Sequence, residues 1–279
     1  SVSKTLSIRN AGGSTLNWSL SGLRSWLYAD VTQGQSSGEV NTVALTADAT
    51  SLTHGTYTAA LSVTDPQASN SPRSVEIVLY VGTTLNVPGQ YATIQTAIDS
   101  AVPGDEVVVA NGVYAGAGNK DLDLLGKPIT VRSASGDPAS CIIDCEGSGR
   151  GFYFHSGETD ASIVDGFTIR NGNVTPSSPS GGYGGGIHCD SSSPAMVNCV
   201  IRSNKASEQG GGVYCGNNSK PTLINCNIST NNTASGGGVA CSFSNPTLIN
   251  CMISGNPAIS GRSVSCGSSS PMLTNCILS

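Results

Sequence analysis

Three sets of residues in this sequence have types and spacings that bear on chemistry: the cysteines, a central group of carboxylates, and several tyrosines and histidines. All ten cysteines lie between Cys141 and Cys276. Cys189, Cys215, Cys241 and Cys266 follow one another at 26, 26 and 25 residues, and Cys199, Cys226, Cys251 and Cys276 at 27, 25 and 25. Within each pair, such as Cys189 and Cys199, the separation is ten or eleven residues. Zinc motifs space their ligands differently, so no metal is expected. Stacked strands would bring equivalent Cα atoms within disulfide range, but their parallel Cβ vectors hold the sulfurs awkwardly for a bridge. Buried cysteine packs as a small hydrophobe. The expectation is columns of stacked thiols, with a few bridges left open.

Breaking a glycosidic bond by elimination takes carboxylates for a calcium ion and a basic residue, and hydrolysis takes two or three clustered acids. The acids near the middle of the chain are Asp144, Glu146, Glu158, Asp160, Asp165 and Asp190, with His155 and His188 close by in sequence. After Glu208 there is no Asp or Glu, and Lys220 and Arg262 are the only cationic residues. Asp165 reads as a turn residue, and Glu158 and Asp160 as loop acids. No catalytic residue and no cofactor is expected. Tyr153, His188 and Tyr214, with Tyr183 beside them, fall on one outward face and suit stacking against sugar rings.

The elements that must hold these residues are written in a repeat. GGGVYCGNNSKPTLINC at 210–226 returns as GGGVACSFSNPTLINC at 236–251, follows GGGIHCDSSSPAMVNC at 184–199, and degrades to GRSVSCGSSSPMLTNC at 261–276. A steady period of this length marks a solenoid. Strand alternation points Val213, Cys215, Leu223, Cys226 and Ile228 inward and Tyr214 outward. Val213 then stacks with Ile187, Val239 and Val264. Ile228 stacks with Ile169, Ile201, Ile253 and Ile277, the last one residue out of strict register. Asn198, Asn225, Asn250 and Asn275 form a ladder at the bend, where Asn tolerates a left-handed backbone. Upstream, Asp165-Gly166 reads as the same corner in place of Asn-Cys, and GRGFYFHSG at 149–157 as the same strand. Regular coils are expected over about 149–279.

Ahead of them, YATIQTAIDSA at 91–101 places Ile94, Ala97, Ile98 and Ala101 on one helical face, and PGDEVVVANGVY follows as a strand pair. Together with the coils, these residues resemble the capped right-handed parallel β-helix of pectate-lyase-like proteins, over residues 84–279. The resemblance implies that fold and an Asn ladder. It leaves function open, because such folds host lyases, hydrolases, adhesins and tailspikes.

Residues 1–83 hold no cysteine and alternate in short strands separated by turns, which predicts an immunoglobulin-like β-sandwich. NAGGSTLNWSL, SWLYADVTQGQSSGE and THGTYTAALSVTD resemble the BACON-like domains of secreted bacterial proteins. That resemblance implies one more strand ahead of Ser1, either cut away or supplied by another subunit through β-augmentation. Trp18 and Trp26 read as core rather than sugar-binding residues.

The expected fold class is therefore all-β, a sandwich followed by a capped β-helix. Only 11% of residues are charged and the net charge is −5, without a basic cluster, which argues against a nucleic-acid partner. No apolar run is long enough to span a membrane. Asn17, Asn173, Asn217, Asn227 and Asn231 begin Asn-x-Ser/Thr triplets. The functional expectation is an exported, extracellular or cell-surface structural protein, adhesive or filament-forming and contacting glycans. It self-associates head to tail through uncovered chain ends. The alternatives are a polysaccharide lyase or hydrolase using the central acids, and a carbohydrate-binding module of a larger enzyme.

Overall fold

Alternating apolar side chains in the first 82 residues need a second surface to bury them, and two antiparallel sheets supply it. In the computed structural model, which describes residues 1–178 and 180–279, the chain forms two units, Ser1–Gly82 and Thr83–Ser279. In the first unit one sheet runs in the order Val2–Arg9, Val40–Ala47, Leu27–Ala29. The other runs Gln33–Ser36, Leu16–Ser21, Gly55–Thr64, Arg73–Val81. Ile8, Leu27, Val43 and Leu45 meet Trp18, Leu20, Ala59 and Leu61 in the core between them. Trp18 is enclosed there and donates from Nε1 to Asn41 Oδ1 at 2.8 Å. Trp26 meets the ring of Tyr57 edge-on at 6.4 Å. Both indoles are core residues. Val2–Arg9 and Arg73–Val81 are edge strands, and residues of both line a cleft of about 680 Å³ that also includes Leu16 and Val63.

The second unit is a parallel coil with three main walls. The first wall stacks Phe152–Phe154, Ile187–Asp190, Val213–Gly216, Val239–Ser242 and Val264–Gly267. The second contains eight strands, from Thr84–Val87 to Met272–Thr274, and so begins well ahead of the regular repeats. The third runs from Gly112–Tyr114 to Ile277–Leu278. The lumen is apolar: Ile187, Val213, Val239, Leu223, Leu248, Ile201, Ile228 and Ile253 are fully buried. Each such side chain contributes about 1.5–3 kcal/mol relative to exposure.

Register pairing puts Cys189, Cys215, Cys241 and Cys266 in one column and Phe152, Ile187, Val213, Val239 and Val264 in another. Two details of the expected register change. Val197 pairs with Asp165, so Gly166 rather than Asp165 stands at the position of Asn198, and Phe167 at that of Cys199. Both corner residues have left-handed backbones, φ 78° at Gly166 and 50° at Asn198, and the turn rather than the side chain sets the match. At the last coil Ile253 pairs with Leu278, so Leu278 continues the isoleucine column and Ile277 points out, 63% exposed.

The capping helix is shorter than its apolar pattern, Ile94–Ser100. Thr93 and Thr96 form a reciprocal capping box that satisfies the first turn, and Ile94, Ala97 and Ile98 are buried. The helix packs on Thr84–Val87 and Glu106–Val109, covering the first apolar layer. Of the described residues, no helix is long and apolar enough to cross a membrane.

Polar ladders run beside the apolar columns. At the exposed bend Asn225 Nδ2 donates to Asn198 Oδ1 and Asn250 Nδ2 to Asn225 Oδ1, each at 3.2 Å, while Asn198 Nδ2 reaches Asp165 Oδ1 at 3.1 Å. Asn275 shares their left-handed backbone, φ 52°. A second, buried ladder joins Asn204, Asn231 and Asn256. Asn231 Oδ1 accepts from both the backbone and the side-chain nitrogen of Asn204, at 3.1 and 3.0 Å, and Asn256 Oδ1 does the same for Asn231, at 2.9 and 3.0 Å. A third ladder passes each backbone N–H to the next hydroxyl, from Ser192 to Ser219 to Ser244 to Ser269. The glycine run is where coils meet backbone to backbone: a Cβ on Gly172 would lie 1.8 Å from Gly185 O, and one on Gly212 2.6 Å from Gly238 O.

Candidate functional site

Outward positions of the first wall converge on one cluster of rings. Register stacks Tyr153 on His188 and His188 on Tyr214, and Tyr183 arrives from the preceding turn. Tyr183 lies 4.7 Å from Tyr214 and 6.3 Å from His188, centroid to centroid. Tyr153 stands 5.0 Å from His188 and stacks nearly parallel on His155 at 4.0 Å. The structure thus brings Tyr153, Tyr183, His188 and Tyr214 together. It gives them different parts, however. The three tyrosines are half-buried, whereas His188 is only 4% exposed and forms the floor beneath them. An outward position on a sheet is not an exposed one when three large rings lean over it.

Arg150 completes the floor. It occupies the place of a glycine, since Gly149-Arg150-Gly151 stands in register with Gly184-Gly185-Gly186. Its side chain is 1% exposed, with Cζ 5.0 Å from the centre of the Tyr153 ring. Nη2 donates to Gly181 O at 3.3 Å, and Nη1 lies 3.3 Å from His188 Nδ1. Burial first, and the neighbouring guanidinium second, push the His188 pKa down to about 3. The imidazole is therefore neutral, accepting at Nδ1. A hydrogen bond to the Glu208 carboxylate, then burial, raises the Tyr183 phenol to about 12. Burial also raises Tyr214. Tyr183 and Tyr214 therefore keep their protons, and the Ser180 hydroxyl bonds to that of Tyr153.

The central acids do not gather. Asp144 belongs to the third wall, paired with Arg170 at 2.9 Å and with Asn171 Nδ2 at 2.9 Å. Asp165 ends a strand of the second wall, and Asp190 one of the first, where it accepts from Asn217 Nδ2 at 2.7 Å. Glu146 and Asp160 are exposed. What the sequence reading missed is a pair. The Asp123 carboxyl touches Glu158; burial, then this neighbour, raises its pKa. Burial opposes the Glu158 charge, but the N–H groups of Gly126 and Ser156 and the Ser192 hydroxyl outweigh it and hold that pKa low. His155 Nδ1 lies 3.5 Å from Asp123, which links the pair to the Tyr153 stack. Nothing in a 35-residue sequence separation flags this contact; Arg150 did carry a signal, as the one cation inside the early copy of the glycine run.

The thiols are elsewhere. All ten are free, eight are buried, Cys276 is intermediate and Cys266 exposed. Cys226, Cys251 and Cys276 each donate to a carbonyl of the previous coil: Met196, Leu223 and Leu248, at 3.6, 3.4 and 3.5 Å. Burial raises Cys141 and Cys145 to about 12. Hydrogen-bonded neighbours, Cys189 for Cys215 and Cys199 for Cys226, raise those two thiols well above the ordinary value, whereas their bonds to Cys226 lower Cys199 and bring Cys251 to about 7. The raised thiols are poor nucleophiles, and Cys199 and Cys251 are shielded by burial. No group of three His, Cys, Asp or Glu side chains arranged for a metal ion occurs among the described residues.

Comparison with known proteins agrees with the coil. The crystal structure of pectate lyase Pel9A is similar at 15% identity and a TM-score of 0.44, over 63% of this chain and 48% of that one. This chain therefore spans about half the length of that protein. No curated protein matches the sequence. Residues 110–279, more than half of the chain, match the family described as right handed beta helix region, and the chain belongs to that family.

Proposed function

We propose that this chain is a non-catalytic structural protein of the cell exterior that contacts glycans through the Tyr153–Tyr183–Tyr214 platform. The observation that carries the reading is the contrast between two sets of residues. Three half-exposed tyrosines share one surface over a fixed floor of neutral His188 and buried Arg150, while Asp144, Asp165 and Asp190 lie on three separate walls and Glu146, Glu158 and Asp160 between strands. Rigid aromatic faces lose little conformational entropy on stacking, which suits them to sugar rings. The BACON-like resemblance of the first unit and the cysteine-rich coil are compatible with an exported protein whose thiols are protected by burial.

Self-association belongs to the same proposal. The coil at Val264–Leu278 presents unpaired strand edges and exposed Met272, Leu273 and Leu278, a surface that another coil would cover. Head-to-tail association of two copies would cover these residues, and sedimentation of the purified chain at rising concentration tests it.

The enzymatic reading has one observation in its favour, the Asp123–Glu158 pair beside His155 and the Tyr153 stack. One experiment addresses both. A panel of polysaccharides is tested for retention of the protein and for release of reducing ends or unsaturated products. Retention without product, lost in Tyr214→Ala, is the expected result. Product formation that disappears in Asp123→Asn would replace the proposal with a hydrolase or lyase.

A further inference from the structure

We propose that the tyrosine platform takes uncharged or amino-sugar chains and turns uronates away. This rests on the glycan-contact reading above and names the class of sugar. The charged side chains whose fields reach the rings are few. Glu208 and Asp190 act on Tyr214, Glu208 on Tyr183, Arg150 lies 5.0 Å from the centre of the Tyr153 ring, and Arg150, Asp190 and His155 act on His188. The two carboxylates are half-exposed at the surface. Glu208 is held at the platform by its bond to Tyr183, and Asp190 by Asn217.

The cations at the platform offer no exposed partner to an incoming carboxylate. Arg150 is 1% exposed, and its Nη1 and Nη2 are committed to His188 and Gly181. His188 is sealed under the rings. His155 is exposed but stands against Asp123, whose partner is Glu158. A uronate ring lying on these tyrosines would therefore place its carboxylate in the field of Asp190 and Glu208 with no accessible guanidinium to receive it. Like charges at a recognition surface act as rejection rather than weak binding. A neutral ring meets no such opposition, and an ammonium group would be drawn in.

The experiment is calorimetric or fluorescence titration of the full chain with cellohexaose, chitohexaose and an oligogalacturonate hexamer, at low and at moderate ionic strength. At least one uncharged hexamer is expected to bind tenfold or more tighter than the galacturonate. Added salt should strengthen the galacturonate by screening repulsion and leave the uncharged ligands unchanged. Galacturonate binding that equals or exceeds the others, or that weakens with salt, overturns the inference while the glycan-contact reading stands. Failure of every hexamer to bind overturns the glycan-contact reading itself, and this inference with it.

Discussion

Nη1 of Arg150 donates to Nδ1 of His188 at 3.3 Å, with both side chains enclosed. A guanidinium can only donate, so the imidazole must accept at Nδ1 and carry its proton on Nε2. An imidazolium there would set two cations against each other in a buried site. The platform is thus built on a histidine that folding keeps neutral.

Stability should follow pH accordingly. His188 titrates near 6.5 in the unfolded chain and at about 3 in the folded one, so between those values the unfolded state binds a proton that the folded state excludes. The His188 contribution is complete above pH 6.5 or so and is lost as pH falls toward 3, by up to about 1.4 kcal/mol per unit. Urea unfolding at pH 7.5 and pH 5 measures it. His188→Phe should flatten the dependence, and an unchanged slope in that variant would show that His188 is not its source.

The two asparagine ladders should differ sharply in weight. Asn231→Ala strips acceptors from Asn204 and a donor from Ile201 O inside the protein. Buried groups left unsatisfied cost roughly 1–3 kcal/mol each, so a loss of about 3 kcal/mol is expected. Asn225→Gly removes an exposed amide but keeps the left-handed corner, and should cost less than about 1 kcal/mol. Denaturation midpoints decide; equal costs would mean that the bend, not the interior, holds the register. The same burial makes Asn231 unable to carry a glycan in the folded chain.

Glycine substitutions separate packing from freedom. Gly212→Ala would place a methyl 2.6 Å from Gly238 O and 2.8 Å from Ile228 Cγ2, at a cost of roughly 3 kcal/mol or more. Gly13→Ala meets nothing within 4 Å and should fall within about 0.5 kcal/mol of the parent. Thermal melting of the two variants would contradict this account if their order were reversed.

Thiol labelling should read the lumen directly. In the folded 279-residue chain a maleimide should modify Cys266 quickly and Cys276 slowly, with the eight buried cysteines reacting only on unfolding. Peptide mass spectrometry locates the adducts. Rapid modification of Cys215 or Cys226 would mean that the coils open locally.

Much of the coil is legible in the sequence because each position repeats its environment, and so its residue type. The columns through Val213 and Cys215 fall where alternation places them. The register slip at Asp165 arises because a glycine and an asparagine can both serve a left-handed corner, and spacing alone does not choose between adjacent residues. The buried ladder through Asn204, Asn231 and Asn256 was visible as a 27- and 25-residue spacing, but an Asn-x-Thr triplet at Asn231 offered a competing explanation. Arg150 interrupts the repeat at a glycine position, and Glu208 and the Asp123–Glu158 contact have no copy in the other coils. Nothing periodic announces a side chain that occurs once.

The ladders also set how the coil would respond to force. Its inter-coil hydrogen bonds point along the stacking direction, so an axial pull loads one coil's bonds at a time instead of shearing a whole sheet. Each regular coil after Ile187 would free about 26 residues, or roughly 90 Å of extended chain, and a longer upstream coil, such as Ile163 to Ala195, 32 residues. The second unit is thus built to yield in small steps under tension, paying out length while the coils behind the break stay shut.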